Sequence, residues 1–327
     1  HNHFLTFQSF FYTSQIDRSV NGPAPDETSC SKLCTFVKVP KKRRSSRVPF
    51  SDVAHSYEQH IDLFDPNRDG GYPGNHAAFR HVLNVLHERK ARRLLEVGVG
   101  NGNAISIFSA SGLEMFGIDN KPEMVDKSKE IMEKRGLSHN NVMWGDIEDS
   151  ISLSPVRKLG NFDGLVAMGV LPHVKHDEAT LENMWHLLAP GGTAFVECRN
   201  KLFSLITFNR FTYEFILNDL FGDVESSVRE ASAEFLQSRL DVDLPPPPSG
   251  HAAKQHNPLT IEETFTQSGF VNIRIVPFHY HAAIPRLEKP LAERFRRESI
   301  DLENEPSGWR GLFLCSAFLV EAQRPAS

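Results

Sequence analysis

The run Leu94-Leu95-Glu96-Val97-Gly98-Val99-Gly100-Asn101-Gly102-Asn103 constrains this chain more than any other stretch. An apolar segment that breaks into three alternating glycines reads as a buried strand, a tight turn and the start of a helix. Glycine has no Cβ and tolerates the dihedrals of such a turn, so the backbone can approach a nucleotide-like ligand closely. The spacing is G-x-G-x-G. A dinucleotide fingerprint wants its third glycine at the sixth position of GxGxxG, and that position here is Asn103. Taken alone, a glycine turn also serves simply to close a βα unit, so the reading rests on the residues that accompany it.

Those residues alternate strand and helix. Phe79, Val82, Leu83, Val85 and Leu86 fall at helical spacing before the strand 94–97. A helix over 103–112 leads to the short apolar run 115–118, which ends in Asp119. Pro122 opens a helix through about residue 135, as proline at a first turn should. Strands are predicted over 142–144, 162–168 and 193–198, the last entered through Pro190-Gly191-Gly192, with a helix over 177–188 between the latter two. This order implies a parallel sheet with right-handed crossovers. Further on, 257–270 reads as a helix running into a strand at 271–280, and 309–322 as the last strand. Two segments remain as insertions, 199–256 and 283–308. The first carries the aromatic stripe Phe203, Phe208, Phe211 and Phe215 and a stiff Pro245–Pro248 run, a polyproline spacer.

Composition narrows the function classes. With 327 residues and 40% hydrophobic content, the chain is long enough for one large core and an appendage. No apolar run approaches the roughly 18 residues of a membrane span. Four scattered cysteines argue for a reducing, cytoplasmic setting, and Cys30-x-x-x-Cys34 lacks the second ligand pair of a zinc site. Residues 1–50 hold eight Lys/Arg against three Asp/Glu, leaving 28 against 38 and a charge of −10 elsewhere. An acidic body disfavours nucleic-acid binding. Residues 1–48, with the basic run 41–44 and no methionine before Met115, read as a dispensable disordered arm, processed or extraneous to the core.

The ordered set Glu96, GxGxG, Asp119, Gly145-Asp146-Ile147 and Pro190-Gly191-Gly192 resembles the motifs of class I S-adenosylmethionine (SAM) dependent methyltransferases. The resemblance spans residues 92–198 and continues weakly through the C-terminal strands. It implies an α/β, Rossmann-like seven-stranded sheet with an antiparallel last strand, helices on both faces and a C-terminal cap insertion. The domain organisation expected is an arm (1–48), a SAM-binding core (49–198), a cap insertion (199–256) and the closing strands (257–327). For the cofactor, the resemblance implies that Glu96 supports the SAM ammonium. Gly98, Gly100, Asn101 and Gly102 form the turn, and Asp119, 21 residues after Gly98, accepts the ribose hydroxyls. Asn120 and Met124 flank the adenine, Asp146 and Ile147 hold its amino edge, and Met168 and Gly169 complete the set. Asp119 and Asp146 would also suit helix caps.

Acceptor chemistry is expected at the ends of the later strands. His173 follows strand four and is a candidate base, and Arg199 follows strand five and can clamp an acidic group. Because strand residues alternate faces, at least one of His279 and His281, after strand six, is expected to face the pocket. The segment after strand four lacks the Asp/Asn/Ser-Pro-Pro-aromatic motif of nucleobase amine methylation, and no carboxylate pair with a histidine stands out as a magnesium site. A looser similarity of 199–204 and 309–318 to sugar, surface-polysaccharide and natural-product methyltransferases implies a small polar acceptor. The expectation is therefore O-methylation of a sugar-like hydroxyl by a soluble enzyme, with a homodimer as the protein partner. N-methylation of a small amine and a noncatalytic partner-binding subunit are the alternatives.

Overall fold

The computed structural model describes residues 75–242, 253–304 and 308–327. The basic arm, Cys30 and Cys34, and the Pro245–Pro248 spacer lie outside the described residues. Seven strands form one sheet: β1 (Arg93–Val97), β2 (Glu114–Asp119), β3 (Val142–Trp144), β4 (Phe162–Ala167), β5 (Leu188–Arg199), β6 (Val271–Tyr280) and β7 (Cys315–Gln323). Their order is β3-β2-β1-β4-β5-β7-β6. β1 to β5 pair in parallel, while β7 runs antiparallel to both β5 and β6. The order reverses at β1, so the crevice between the ends of β1 and β4 is the switch point where open α/β sheets take ligands.

Both faces of the sheet are covered, as near-continuous apolar strands require. Leu94, Val166, Phe195 and Leu319 pack on one face against α1 (His76–Glu88), α2 (Asn103–Ala110) and α3 (Pro122–Lys134). Leu95, Leu165, Val196 and Val320 pack on the other against α4 (Asp177–Leu187) and, across the insertion, α7 (Ile261–Gln267). Between β5 and α7 the chain forms a 3-10 turn (Lys201–Ile206), α5 (Arg210–Phe215), a π-turn (Ile216–Leu220) and α6 (Ser226–Gln237). Within the second expected insertion, the described residues fold mainly as α8 (Glu293–Asn304), whose Phe295 is buried.

Three boundaries differ from expectation. The last strand begins at Cys315, because residues 308–314 form short helical turns whose Leu312 carbonyl is taken by Asn200 rather than by a neighbouring strand. Pro190-Gly191-Gly192 lies inside β5 rather than before it: Phe162 pairs with Leu188 and Gly164 with Thr193, so the turn is an irregularity in a continuous strand. The helix expected from 257 starts at Ile261. Residues before it are extended, with His256 bridging to Asn200.

Candidate active site

The glycine turn is fastened from below and open above. Gly98 and Val99 donate their amides to the Ile118 carbonyl (2.7 and 3.1 Å), tying the turn to the end of β2. Gly98, Gly100 and Gly102 all have positive φ, at 76°, 49° and 75°. At Gly102 a Cβ would lie 3.0 Å from the Ser128 Cα, so the residue allows α2 to start hard against α3. At Gly100 an added Cβ would meet nothing within 4 Å, because it would project into the open crevice. Asp119, 8% exposed, accepts from the Gly100 amide through Oδ2 and from the Lys121 amide through Oδ1, both at 2.9 Å. The carboxylate is thus held rigidly beside the crevice, with lone pairs remaining for a diol.

Glu96 lies on the same face as Leu94, deeply buried, and its Oε2 has no hydrogen-bond partner. Burial, and secondly the nearby Asp119 charge, push its carboxyl well above the ordinary range. An orphaned buried carboxyl oxygen costs free energy unless a ligand satisfies it. An ammonium group would do so and would restore the charged form. Asn101 completes the turn half-buried, Met124 stands half-buried in the first turn of α3, and Asn120 is exposed, its carbonyl accepting from the Trp144 indole (3.1 Å). Trp144, 49% exposed at the end of β3, presents an aromatic face that sequence reasoning missed. Asp146 accepts from the Glu148 amide through Oδ1 (3.0 Å), an Asx turn, and Ile147 is buried beside it. Open glycine space and an unsatisfied acid at the end of β1, with a rigid carboxylate at the end of the neighbouring β2, fit SAM.

On the acceptor side, Met168 and Gly169 follow β4 half-buried, and Gly169 has φ 66° with open space where a Cβ would point. His173 is exposed on the 3-10 turn Leu171–His173, and Arg199 is exposed at the end of β5. Between these loops runs the extended segment 253–257. Lys254 donates its amide to the Pro172 carbonyl (2.8 Å), His256 donates to the Arg199 carbonyl (2.8 Å), and Lys201 donates to the His256 carbonyl (2.9 Å). Side chains reinforce this seam: His256 Nε2 lies 3.1 Å from Asp177 Oδ2, and Lys254 pairs with Asp177 Oδ1.

Burial pushes the Asp177 carboxyl up, but the hydrogen bonds from His256 and Lys254 outweigh it and leave it below its usual value. A carboxyl depressed in the folded state stabilises fully above its unfolded range, about pH 4, and loses that contribution as pH falls through the lower folded value. The protection factors of the Lys201, Lys254 and His256 amides, taken relative to their intrinsic exchange rates, should therefore fall below about pH 4. In Asp177→Asn they should already be low at neutral pH. Unchanged protection in that variant would show that the backbone bonds alone hold the seam.

His279 and His281 are placed differently from the other candidates. β6 is separated from β5 by β7. The two rings stack on each other with centroids 4.9 Å apart, and His281 is 1% exposed between Phe203 and Phe295. Burial lowers His279 to about 4, and burial followed by the His279 charge holds His281 well below its ordinary value; His281 Nε2 contacts the Ser316 hydroxyl at 3.0 Å. His279 is half-buried with φ 59°. Met168, Gly169 and His173 thus follow β4 and Arg199 ends β5, at the sheet end where the glycine turn follows β1, whereas the histidine pair stands at the end of β6, two strands beyond β5.

Residues 95–194 match a family model described as a methyltransferase domain. Among curated proteins, norajmaline N-methyltransferase of Rauvolfia serpentina is 23% identical over 231 residues, covering 65% of this chain and 77% of that protein. A ubiquinone biosynthesis O-methyltransferase of Coxiella burnetii is 26% identical over 175 residues, covering 49% and 72%. Among solved structures, Haemonchus contortus phosphoethanolamine N-methyltransferase 2 in complex with SAM aligns over 82% of this chain and 60% of that one, at 16% identity and a TM-score of 0.42. Read with the strand order and the glycine-turn crevice, the match makes residues 95–194 a methyltransferase domain of the class I, SAM-dependent kind, with SAM as its cofactor.

Proposed function

We propose that the protein methylates a hydroxyl of a small polar acceptor, sugar-like or a natural-product intermediate, held between the loops after β4 and β5. The observation that supports this reading is where the residues fall in the chain: Gly169 and His173 follow β4, Arg199 ends β5, and the 253–257 segment is hydrogen-bonded to both through Pro172 and Arg199. A bound SAM supplies an electrophilic methyl group. The chain's own residues orient the acceptor, Arg199 by its guanidinium and His173 by its ring, and proximity contributes much of the acceleration. A nucleic-acid strand suits neither this narrow seam nor the acidic body. Among the described residues no helix is long and apolar enough to cross a membrane. The name of the Rauvolfia relative keeps an amine acceptor as the second reading.

The test is S-adenosylhomocysteine release against a library of hydroxyl and amine metabolites. Arg199→Ala should chiefly raise the acceptor's KM, and release with no member of either class would refute the reading.

The cap insertion divides into two parts of different character. Leu202, Phe203, Phe215 and Leu217 are buried, and Thr207, Asn209 and Thr212 form a buried hydrogen-bonded cluster with the Ser204 carbonyl. This half is core. α6, by contrast, has no buried residue, and Phe235 is 61% exposed. If the insertion carries a lid, as its position after β5 suggests, this reading gives that role to α6 rather than to the stripe 203–216. Free-protein hydrogen exchange should show 226–237 at least tenfold faster than 202–217, which should match β1. Equal protection of both halves would leave the insertion without a lid.

A further inference from the structure

The residue that sequence reasoning passed over is Glu197. It follows Val196, which pairs with Ala167, so it stands beside Met168 at the carboxyl ends of β4 and β5. It lies on the same sheet face as Phe195, and hence on the same face as Glu96. Its carboxylate accepts the Gly169 amide, at the glycine whose missing side chain leaves open space. The charged neighbour on its own strand is Arg199. On the β7 side its register partner is the apolar Leu319, and the next thiol, Cys198, faces the opposite core. Glu197 is thus a half-buried carboxylate near the end of β5, two residues before Arg199 and bonded to the loop that leads to His173, and among the described residues no backbone bond other than that of the Gly169 amide enters its electrostatics.

We propose that Glu197 is the catalytic base: its carboxylate takes the proton from the acceptor's hydroxyl. This rests on the methyltransferase reading of the same crevice. The proton passes to Glu197, the acceptor oxygen's lone pair forms the new bond to the methyl carbon, and the sulfur keeps the pair of the bond that breaks. Burial raises the carboxyl to about 7, opposed by Arg199 and by the Gly169 amide. A base poised there is ionised in about half of the molecules at neutral pH and strong enough to accept a proton. Its ionised fraction falls below that value and rises above it.

The test uses the full chain with glutamate labelled at the side-chain carboxyl carbon. One carbon resonance should titrate near pH 7, be absent from Glu197→Gln, and move to lower pH when SAM, with its positive sulfonium, is added. S-adenosylhomocysteine, which lacks that charge, should leave it nearly unmoved. Equal midpoints with the two ligands, or no such titration, would overturn the proposal. Calorimetry separates this from failure of the site itself: Glu197→Gln should bind SAM within about threefold of the parent, whereas Asp119→Ala should not. Catechol, myo-inositol and histamine serve as acceptors. With whichever is turned over, Glu197→Gln should lower kcat about a hundredfold and remove the ascending pH limb near 7. A full rate in Glu197→Gln, with the loss found instead in His173→Ala, would move the base to His173.

Discussion

Asp119→Ala is expected to weaken SAM binding by at least thirtyfold. Loss of a charge-assisted, bidentate contact to a diol costs on the order of 2 kcal/mol, which is about that factor in affinity. The structure adds a second cost. The same carboxylate fixes the Gly100 and Lys121 amides, so its removal frees the turn as well as the ligand contact. Gly100→Val attacks the crevice from the other side. A β-branched residue at φ 49° is strained, and its side chain would fill the open space above the turn. Affinity should fall in both variants, while the melting temperature should fall more in Gly100→Val. Calorimetric titration with SAM decides: affinities within threefold of the parent in both variants would show that the ligand lies elsewhere.

The cofactor side was legible because each of its signals is local. A buried strand, three glycines and an acid at the next strand end sit within 27 residues, and their spacing is set by one βαβ unit. Glu96, Asp119 and Asp146 are found at the ends of β1, β2 and β3 as that unit requires. The acceptor side is built from segments that meet only in three dimensions. Asp177 joins Lys254 and His256 across more than 70 residues, and the helical pattern read from 257 hid the extended seam that precedes it. Periodicity within a segment carries no information about which other segment it will bridge. Glu197 was hidden for a related reason. Its significance comes from Gly169, in the loop that follows the neighbouring strand, rather than from its sequence neighbourhood.

The aromatic stripe of the insertion shows a further limit. Apolar spacing identifies a face that must be covered, but it does not distinguish a movable lid from an annex of the core. What fixes the stripe in place is polar. Asn200, 2% exposed, sits where β5 leaves the sheet. Its Nδ2 donates to the Leu312 and Cys315 carbonyls (2.6 and 2.7 Å), and its Oδ1 accepts from the Leu202 amide (3.0 Å). One side chain thus ties the start of the insertion to the start of β7 and caps the 3-10 turn that carries Phe203.

Asn200→Ala should therefore be among the most destabilising single changes in the chain. It strands one buried carbonyl, one part-buried carbonyl and one buried amide, each worth about 1 kcal/mol, for a total of about 3 kcal/mol. In a domain of this size that lowers the melting temperature by roughly 6–12 °C. Asn200→Asp should be at least as harmful, although it is nearly isosteric: a carboxylate can still accept from Leu202 but would face two carbonyl oxygens without a proton to offer. Calorimetric or fluorescence melting of the two variants tests the ordering as well as the size. If Asn200→Asp melts with the parent, the two carbonyls find other partners, and the link between β7 and the insertion must run through packing alone. If both variants fall as expected, exchange of the amides of 202–217 should rise with the loss of stability while β1 to β3 stay protected. The fault would then spread through the acceptor side, leaving the cofactor crevice in place.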